Sequence, residues 1–312
     1  MLGGAAGSAL AGCSSSSSAS STTTSAGTAA TSAPTGKPKR GGALTVGTIA
    51  EIDGVYPATN HWDTNGFLYA NTIYDPLMAV AADGTVQPYL AKTMTSNSTY
   101  DVWTMTLRPG IQFNDGSPLN SLVVLANFNA LKKSALTGVA LDQVASVTTP
   151  DAMTVVYTLT GPNPTFPAGL TTQVGYVVGV AMIAAATANP NTAPTPVGTG
   201  PFIYSQWQPN DHFTATRNPH YWRTGLPYLD SITFKPIPDT DQRESTLRSG
   251  GVDMIESATP TTITNFSGSG GSGYQLVDTR TGVIGQPTFS FIMLNTAVAP
   301  TNDLSIRQAL AK

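Results

Sequence analysis

The residue with the most distinctive chemistry is Cys13, the chain's single cysteine. A lone thiol makes no intrachain disulfide and no thiolate metal site. It closes the string Leu10-Ala11-Gly12-Cys13, which matches the lipobox of bacterial lipoprotein signal peptides. In such a string small residues admit the peptidase to the backbone, and the thiol takes a diacylglyceryl group. The other reactive side chains are scattered. His61, His212 and His220 fall in no metal-ligand spacing such as H-x-x-x-H or H-E-x-x-H. The Gly/Ser loop from Gly268 to Gly273 lacks the Lys-Ser/Thr of a phosphate-binding loop and the spacing of G-x-S-x-G. No Ser/His/Asp order and no carboxylate pair stands out. The expectation is therefore no catalytic residue, no metal and no cofactor.

Residues 14–36 are almost entirely Ser, Thr, Ala and Gly. Such a segment buries too little apolar surface to offset its ordering entropy, and it reads as a flexible tether behind Cys13. A secretory leader carries a positive start and an apolar core of about 7–15 residues. Only 12 residues precede Cys13, none of them Lys or Arg. An upstream in-frame start that supplies a basic residue is expected in the gene.

The 312 residues suffice for one or two domains, and with 40% hydrophobic and only 11% charged residues they favour a β-rich body over long salt-bridged helices. The net charge is −3, and the one basic cluster, Lys37-Pro38-Lys39-Arg40, is too small for a phosphate-binding face. Nucleic acid is not expected as a partner. The longest apolar run, about Val174 to Ala188, falls short of the roughly 20 residues of a membrane-spanning helix. It reads as a buried strand followed by a helix start.

The elements follow from local pattern. Gly41-Gly42 opens an apolar strand through Gly47. Apolar residues at Phe67, Leu68, Ile73, Leu77 and Met78 suggest a helix ending near Tyr74-Asp75-Pro76, and Asp83-Gly84 a hairpin turn. Alternation predicts a strand with Trp103, Met105 and Leu107 pointing inward. Leu122, Leu125, Ala126 and Phe128 have helical spacing, and two short strands flank Pro150-Asp151. Phe202 to Trp207 and Phe213 to Arg217 read as strands around the turn Gln208-Pro209-Asn210-Asp211. Gly198-Thr199-Gly200-Pro201 reads as a tight bend, its glycines supplying φ freedom. A helix is expected over Asp239 to Ser249. Trp62, Trp103, Trp207 and Trp222 are expected in cores rather than as ligand platforms.

Several of these strings resemble one family in the same order. They are GG-A-L-T-V-G at Gly41 to Gly47, N-T-I-Y-D-P-L at Asn71 to Leu77, and L-R-P-G-I-Q-F-N-D-G-S-P at Leu107 to Pro118. VGTGPF…NPHYW at Val197 to Trp222, S-G-G-V-D at Ser249 to Asp253, and D-L-S-I-R-Q-A-L at Asp303 to Leu310 complete the set. Together they resemble the family 5 extracellular solute-binding proteins, the oligopeptide, dipeptide and nickel receptors of ABC importers. The helix around Leu122 to Asn127 lacks the Asp usual in that family.

The resemblance implies an α/β fold of the periplasmic-binding-protein type (type II, cluster C-like). It implies a first lobe with an inserted subdomain, the second lobe being largely missing. In that reading 1–13 is a signal remnant with its lipobox and 14–40 a disordered tether. Residues 41–86 and 198–290 form the first-lobe core, 87–197 the inserted subdomain, and 291–312 the hinge and the start of a truncated second lobe. Carried over residue by residue, the ligand-facing positions are Glu51, Ile52 and Asp53, then Glu256, Ser257 and Ala258, then Phe289 and Phe291, with Cys13 as the lipid attachment. The implied partners are a peptide or other small ligand, ABC permease subunits and the membrane through Cys13. The implied state is a monomer outside the cytoplasmic membrane, and a single lobe is expected to bind its ligand weakly or not at all. A secreted hydrolase and a non-transport surface protein or remnant stay open as alternatives.

Overall fold

The computed structural model describes residues 38–257, 259–266, 273–277 and 296–310. Two sheets organise it. The first has five strands in the order β11-β1-β10-β9-β8: β1 Ala43–Thr48, β8 Phe202–Gln208, β9 His212–Arg217, β10 Ser231–Pro236 and β11 Met254–Ile255. β1 runs parallel to both β10 and β11, while β10, β9 and β8 are joined antiparallel. The second is an antiparallel sheet in the order β4-β5-β7-β6: β4 Ala91–Ser96, β5 Val102–Leu107, β6 Val144–Asp151 and β7 Thr154–Leu159. A hairpin of β2 Met78–Val80 and β3 Val86–Pro88 turns at Gly84, whose φ of 83° suits glycine.

Helix α1 Thr64–Ile73 lies on the five-stranded sheet. Asp63 caps it by accepting from Gly66 N at 2.9 Å, which satisfies one orphan donor of the first turn. Tyr69 is its buried anchor, with ring centroids 4.4 Å from Phe234 and 5.1 Å from Phe213. Helix α2 Ser121–Lys133, capped by Asn120, covers the four-stranded sheet. The alternation in β5 is as the sequence indicates, with Trp103, Met105 and Leu107 buried. The apolar face of α2 is not. Leu122 is 64% exposed, and Val123, Val124, Asn127 and Leu131 are buried instead. The single turn α3 Phe166–Gly169 and helix α4 Val180–Ala188 follow. Residues 176–179 form no strand, contrary to the sequence reading of that apolar run, although Val177 and Val178 are buried. Asn127 holds them by accepting from Val178 N and donating to Val178 O. The remaining helices are α5 Thr240–Arg248, α6 Pro260–Phe266 and α7 Leu304–Leu310. Among the described residues no helix is long and apolar enough to cross a membrane.

The segment Val197 to Trp222 clasps the two sheets together around Asp75. This buried carboxylate accepts from Trp222 Nε1 at 2.8 Å, Thr199 Oγ1 at 3.0 Å and Tyr221 OH at 3.1 Å. Burial pushes its pKa up from 3.8 to about 6, against the lowering effect of the Trp222, Thr199 and Tyr221 bonds. Gly200 N donates to Ile73 O, and Gly198 exchanges bonds with Asn114. Neither Gly198 nor Gly200 is in the left-handed region, so φ freedom is not why they are glycine. A Cβ on Gly198 would stand 2.0 Å from Ile73 O, and one on Gly200 2.4 Å from Ile73 C. These positions need close backbone approach.

Candidate functional site

Three parallel strands end side by side, β1 at Thr48, β10 at Pro236 and β11 at Ile255. The crevice outside the carboxyl ends of parallel strands is where open α/β sheets take ligands, because departing loops leave a gap there. The loop ends are pinned to one another. Ile237 N donates to Thr48 O and Glu256 N to Gly47 O, both at 2.9 Å. Arg243 of α5, buried, reaches into the junction. Its Nη1 donates to Ile237 O at 2.6 Å and Pro238 O at 3.1 Å, and its Nε to Glu256 O at 3.0 Å. Arg243→Ala is expected to lower stability by about 3 kcal/mol, since buried carbonyls lose charge-assisted partners. A urea midpoint indistinguishable from that of the parent would rule out this pinning role.

The sequence-derived site residues fare differently. Glu51 is engaged on both oxygens, by Ile52 N and by Asn210 N of the β8–β9 turn, so it ties the loop down. Ile52 is core. Asp53 is exposed, accepts from His61 N at 2.9 Å, and receives Asn60 Nδ2 on its carbonyl, closing the loop 53–61 on itself. Ser257 Oγ accepts from Thr259 N at 3.2 Å. Ala258, Phe289, Phe291 and Cys13 lie outside the described residues. Of the three histidines, His61 and His220 are exposed and His212 is half-buried beside Asp211. Trp62 and Trp103 are buried, as expected of core residues, whereas Trp207 and Trp222 are half-buried.

Glu256 is the exception among the carboxylates. Its Oε2 is buried with no partner among the described residues. Burial raises its pKa; a bond with the Ile49 backbone lowers it, the charge of Asp63 adds to the rise, and Arg243 opposes it. The same lack of a partner marks Trp62 Nε1, Asn65 Oδ1 and Thr262 Oγ1. These atoms sit on the segments that leave β1 and β11. Asn65 is one turn before Tyr69 on the buried face of α1, and the Tyr69 hydroxyl lies 3.3 Å from Thr48 Oγ1. Burial lifts Tyr69 to about 12; its bond with Thr48 lowers it, and the charges of Glu51, Glu256 and Asp63 add to the rise. Buried polar atoms without partners cost free energy unless something else satisfies them. Of these residues, Glu256 directly follows β11, at the carboxyl ends of the parallel strands. Sequence reasoning missed Asn65, Thr262, Asp63 and Arg243. Only Asp63, a helix cap before a periodic run, had a local signal. Among the described residues, no group of three or more His, Cys, Asp or Glu side chains is placed to hold a metal ion.

The chain is 29% identical over 265 residues to the nickel-binding periplasmic protein of Escherichia coli, covering 82% of this chain and 49% of that one. It is 30% identical over 203 residues to the glutathione-binding protein GsiB of Salmonella typhi, covering 60% and 37%. The structure of AgaA of A. tumefaciens in complex with agropinic acid superposes with a TM-score of 0.68 at 26% identity, over 73% of this chain and 46% of that one. The chain thus spans about half the length of such relatives, or less. The fold is that of the periplasmic binding proteins. The model of the bacterial extracellular solute-binding proteins, family 5 Middle, matches residues 85–312. The chain belongs to the family 5 bacterial extracellular solute-binding proteins.

Proposed function

We propose that this chain belongs to the substrate-binding component of an ABC importer, and that it captures peptides or a related small solute outside the cytoplasmic membrane for delivery to a permease. In this reading the five-stranded sheet is the first-lobe core, the four-stranded sheet is the inserted subdomain, and Cys13 carries the lipid anchor. The protein binds and releases rather than transforms. Glu51, Asp53 and Glu256 line the ligand side of the loops, and Phe289 and Phe291 complete it. The observation that carries the reading is the match of the solute-binding family over residues 85–312, with Glu256, whose Oε2 has no partner among the described residues, next to the carboxyl end of β11. The names of relatives, which span nickel and glutathione, support a small polar ligand.

Calorimetric titration of the mature gene product with di- and tripeptides, glutathione and nickel(II) tests this. At least one is expected to bind. Glu256→Gln is expected to weaken it by roughly tenfold or more, the effect of losing a charge-assisted bond. Heat from none of them would sink the transport reading. Unchanged affinity in Glu256→Gln would remove that residue from the site while leaving the reading intact.

A further inference from the structure

The five-stranded sheet has a second end. β1 and β10 start side by side at Ala43 and Ser231, one strand length, or about 20 Å, from the candidate site. Cations from distant stretches of sequence meet at this amino end. Lys39 and Arg40, both exposed, lead into β1, and Arg40 Nη2 donates to Gly225 O at 2.8 Å. Arg223, exposed, lies just before Gly225. Its Nη1 donates to the Tyr89 hydroxyl at 3.0 Å, and its guanidinium stands 5.5 Å from the centre of the Tyr89 ring. Arg108 Nε donates to Tyr89 O at 2.6 Å, and that guanidinium stands 5.6 Å from the centre of the Trp222 ring. Lys92, exposed on β4, follows Ala91, which pairs with Leu107.

These cations lack counter-charges. Arg217 pairs with Asp230, whose other oxygen accepts from Gly42 N, and Asp253 accepts from Thr45 N. Among the described residues, Lys39, Arg40, Lys92, Arg108 and Arg223 make no ion pair, although the chain as a whole has a net charge of −3. Arg40, Arg108 and Arg223 each commit one N–H to a positioning bond among the described residues, and a guanidinium has five. In sequence the basic cluster before β1 is small. The fold enlarges it with residues from β4, from the end of β5 and from the turn after β9. Tyr228, 40% exposed and bonded through its carbonyl to Gly41 N, adds an amphipathic ring of the type enriched at membrane–water interfaces.

We propose that this amino end of the five-stranded sheet is a docking face for an anionic phospholipid surface. The cations are spread over a face rather than converged on one point, which suits headgroups that move to meet them. The face also adjoins the stretch that leads back to Cys13. In the functional reading above Cys13 carries the lipid, and the chain between Cys13 and Lys39 spans at most about 90 Å even when fully extended. The anchor thus keeps a bilayer within reach and raises its effective concentration at the face. The docked body turns the carboxyl ends of β1, β10 and β11 away from the bilayer, so the candidate site stays open to solution. The inference rests on that reading for the anchor alone, since the cations are placed by the fold.

The test is co-sedimentation of the full chain, carrying Cys13→Ser so that no acyl group contributes, with vesicles of phosphatidylcholine containing 30% phosphatidylglycerol. Binding is expected at about 1 mM lipid in 0.05 M salt, and its loss in 0.5 M salt as screening tightens. Vesicles of phosphatidylcholine alone are not bound. Each cation removed is expected to cost about fivefold, so Lys39→Gln/Arg40→Gln/Lys92→Gln/Arg223→Gln binds at least a hundredfold more weakly. Lys132→Gln/Lys133→Gln/Lys235→Gln/Arg248→Gln has the same net charge and keeps most of the affinity. Should the first variant misfold, Lys39→Gln/Arg40→Gln, which lies ahead of β1, is expected to lose about 25-fold by itself. No binding to the anionic vesicles, equal binding to neutral ones, or equal losses in the two four-site variants overturns the proposal. Retention on an immobilised acidic peptide without vesicle binding also overturns it and assigns the face to a protein. Because no solute is present, each result bears on the face and leaves the transport reading to calorimetry.

Discussion

Gly200→Ala is expected to lower the melting temperature by about 10 °C. The added methyl has nowhere to go. It would lie 2.4 Å from Ile73 C and 2.6 Å from Tyr74 N, and backbone at the end of a packed helix cannot move aside as a side-chain tip can. The segment must shift outward. That loosens the Gly200 N to Ile73 O bond and the Asn218 bonds to Gly200 O and Pro201 O. Overpacking of this kind costs about 3 kcal/mol, and a chain of this size loses roughly 2–4 °C for each. Gly161→Ala is the control, because a Cβ there meets nothing within 4 Å. Calorimetry that finds the two variants equally stable would show that the glycines are not placed for close approach.

Asp75→Ala is expected to cost about 4 kcal/mol, because Trp222, Thr199 and Tyr221 each lose an acceptor in the interior. Asp75→Asn behaves differently. It keeps an acceptor for Trp222 and Thr199, and its amide can donate to the Tyr221 oxygen. The pH dependence separates these effects. The folded carboxyl titrates near 6 and the unfolded one near 3.8. A raised pKa means that the folded state holds the proton more tightly. The stability it brings is complete below 3.8 and is lost as pH climbs through 6, amounting to roughly 3 kcal/mol. Asp83, Asp101, Asp151 and Asp303 are held low by bonds from neighbouring hydroxyls and backbone and act in the opposite sense at lower pH. Comparing parent and Asp75→Asn cancels them. Their difference in unfolding free energy is expected to change by roughly 2 kcal/mol between pH 4 and pH 7, with the parent relatively weaker at pH 7. A constant difference across that range would mean that Asp75 titrates normally.

What could be read beforehand was what is local. Period-two alternation made β5 legible, and a cap before a helical run made α5 legible, with Asp239 accepting from Gln242 N. The face of α2 was not, because Leu122 and Leu125 attract attention by type while packing selects Val123, Val124 and Leu131. The run from Val174 failed for a related reason. Small apolar residues carry no direction, and distant partners fix them: Asn127 on Val178, Asp75 O on Val177 N and Val197 O on Gly179 N. The site was the least legible part. Asp75 meets its partners across more than a hundred residues, and Arg243 reaches carbonyls of two separate loops. Glu256 could be named from a motif, but its unpartnered oxygen is a property of the packed edge.

The clasp at Asp75 also bears on how such a chain can change over evolutionary time. The polypeptide leaves the five-stranded sheet through Tyr74-Asp75 and re-enters it through Gly198-Thr199, residues that touch. Everything between is a closed excursion whose two ends share one doorway. Lengthening such an excursion costs little, since doubling a loop adds only about 0.6 kcal/mol of closure entropy. The four-stranded sheet can therefore gain or shed hairpins without disturbing the strand ends where a solute would rest. The doorway itself is built of two glycines, a carboxylate and an indole in direct contact, so a change at any of them is felt by both sheets.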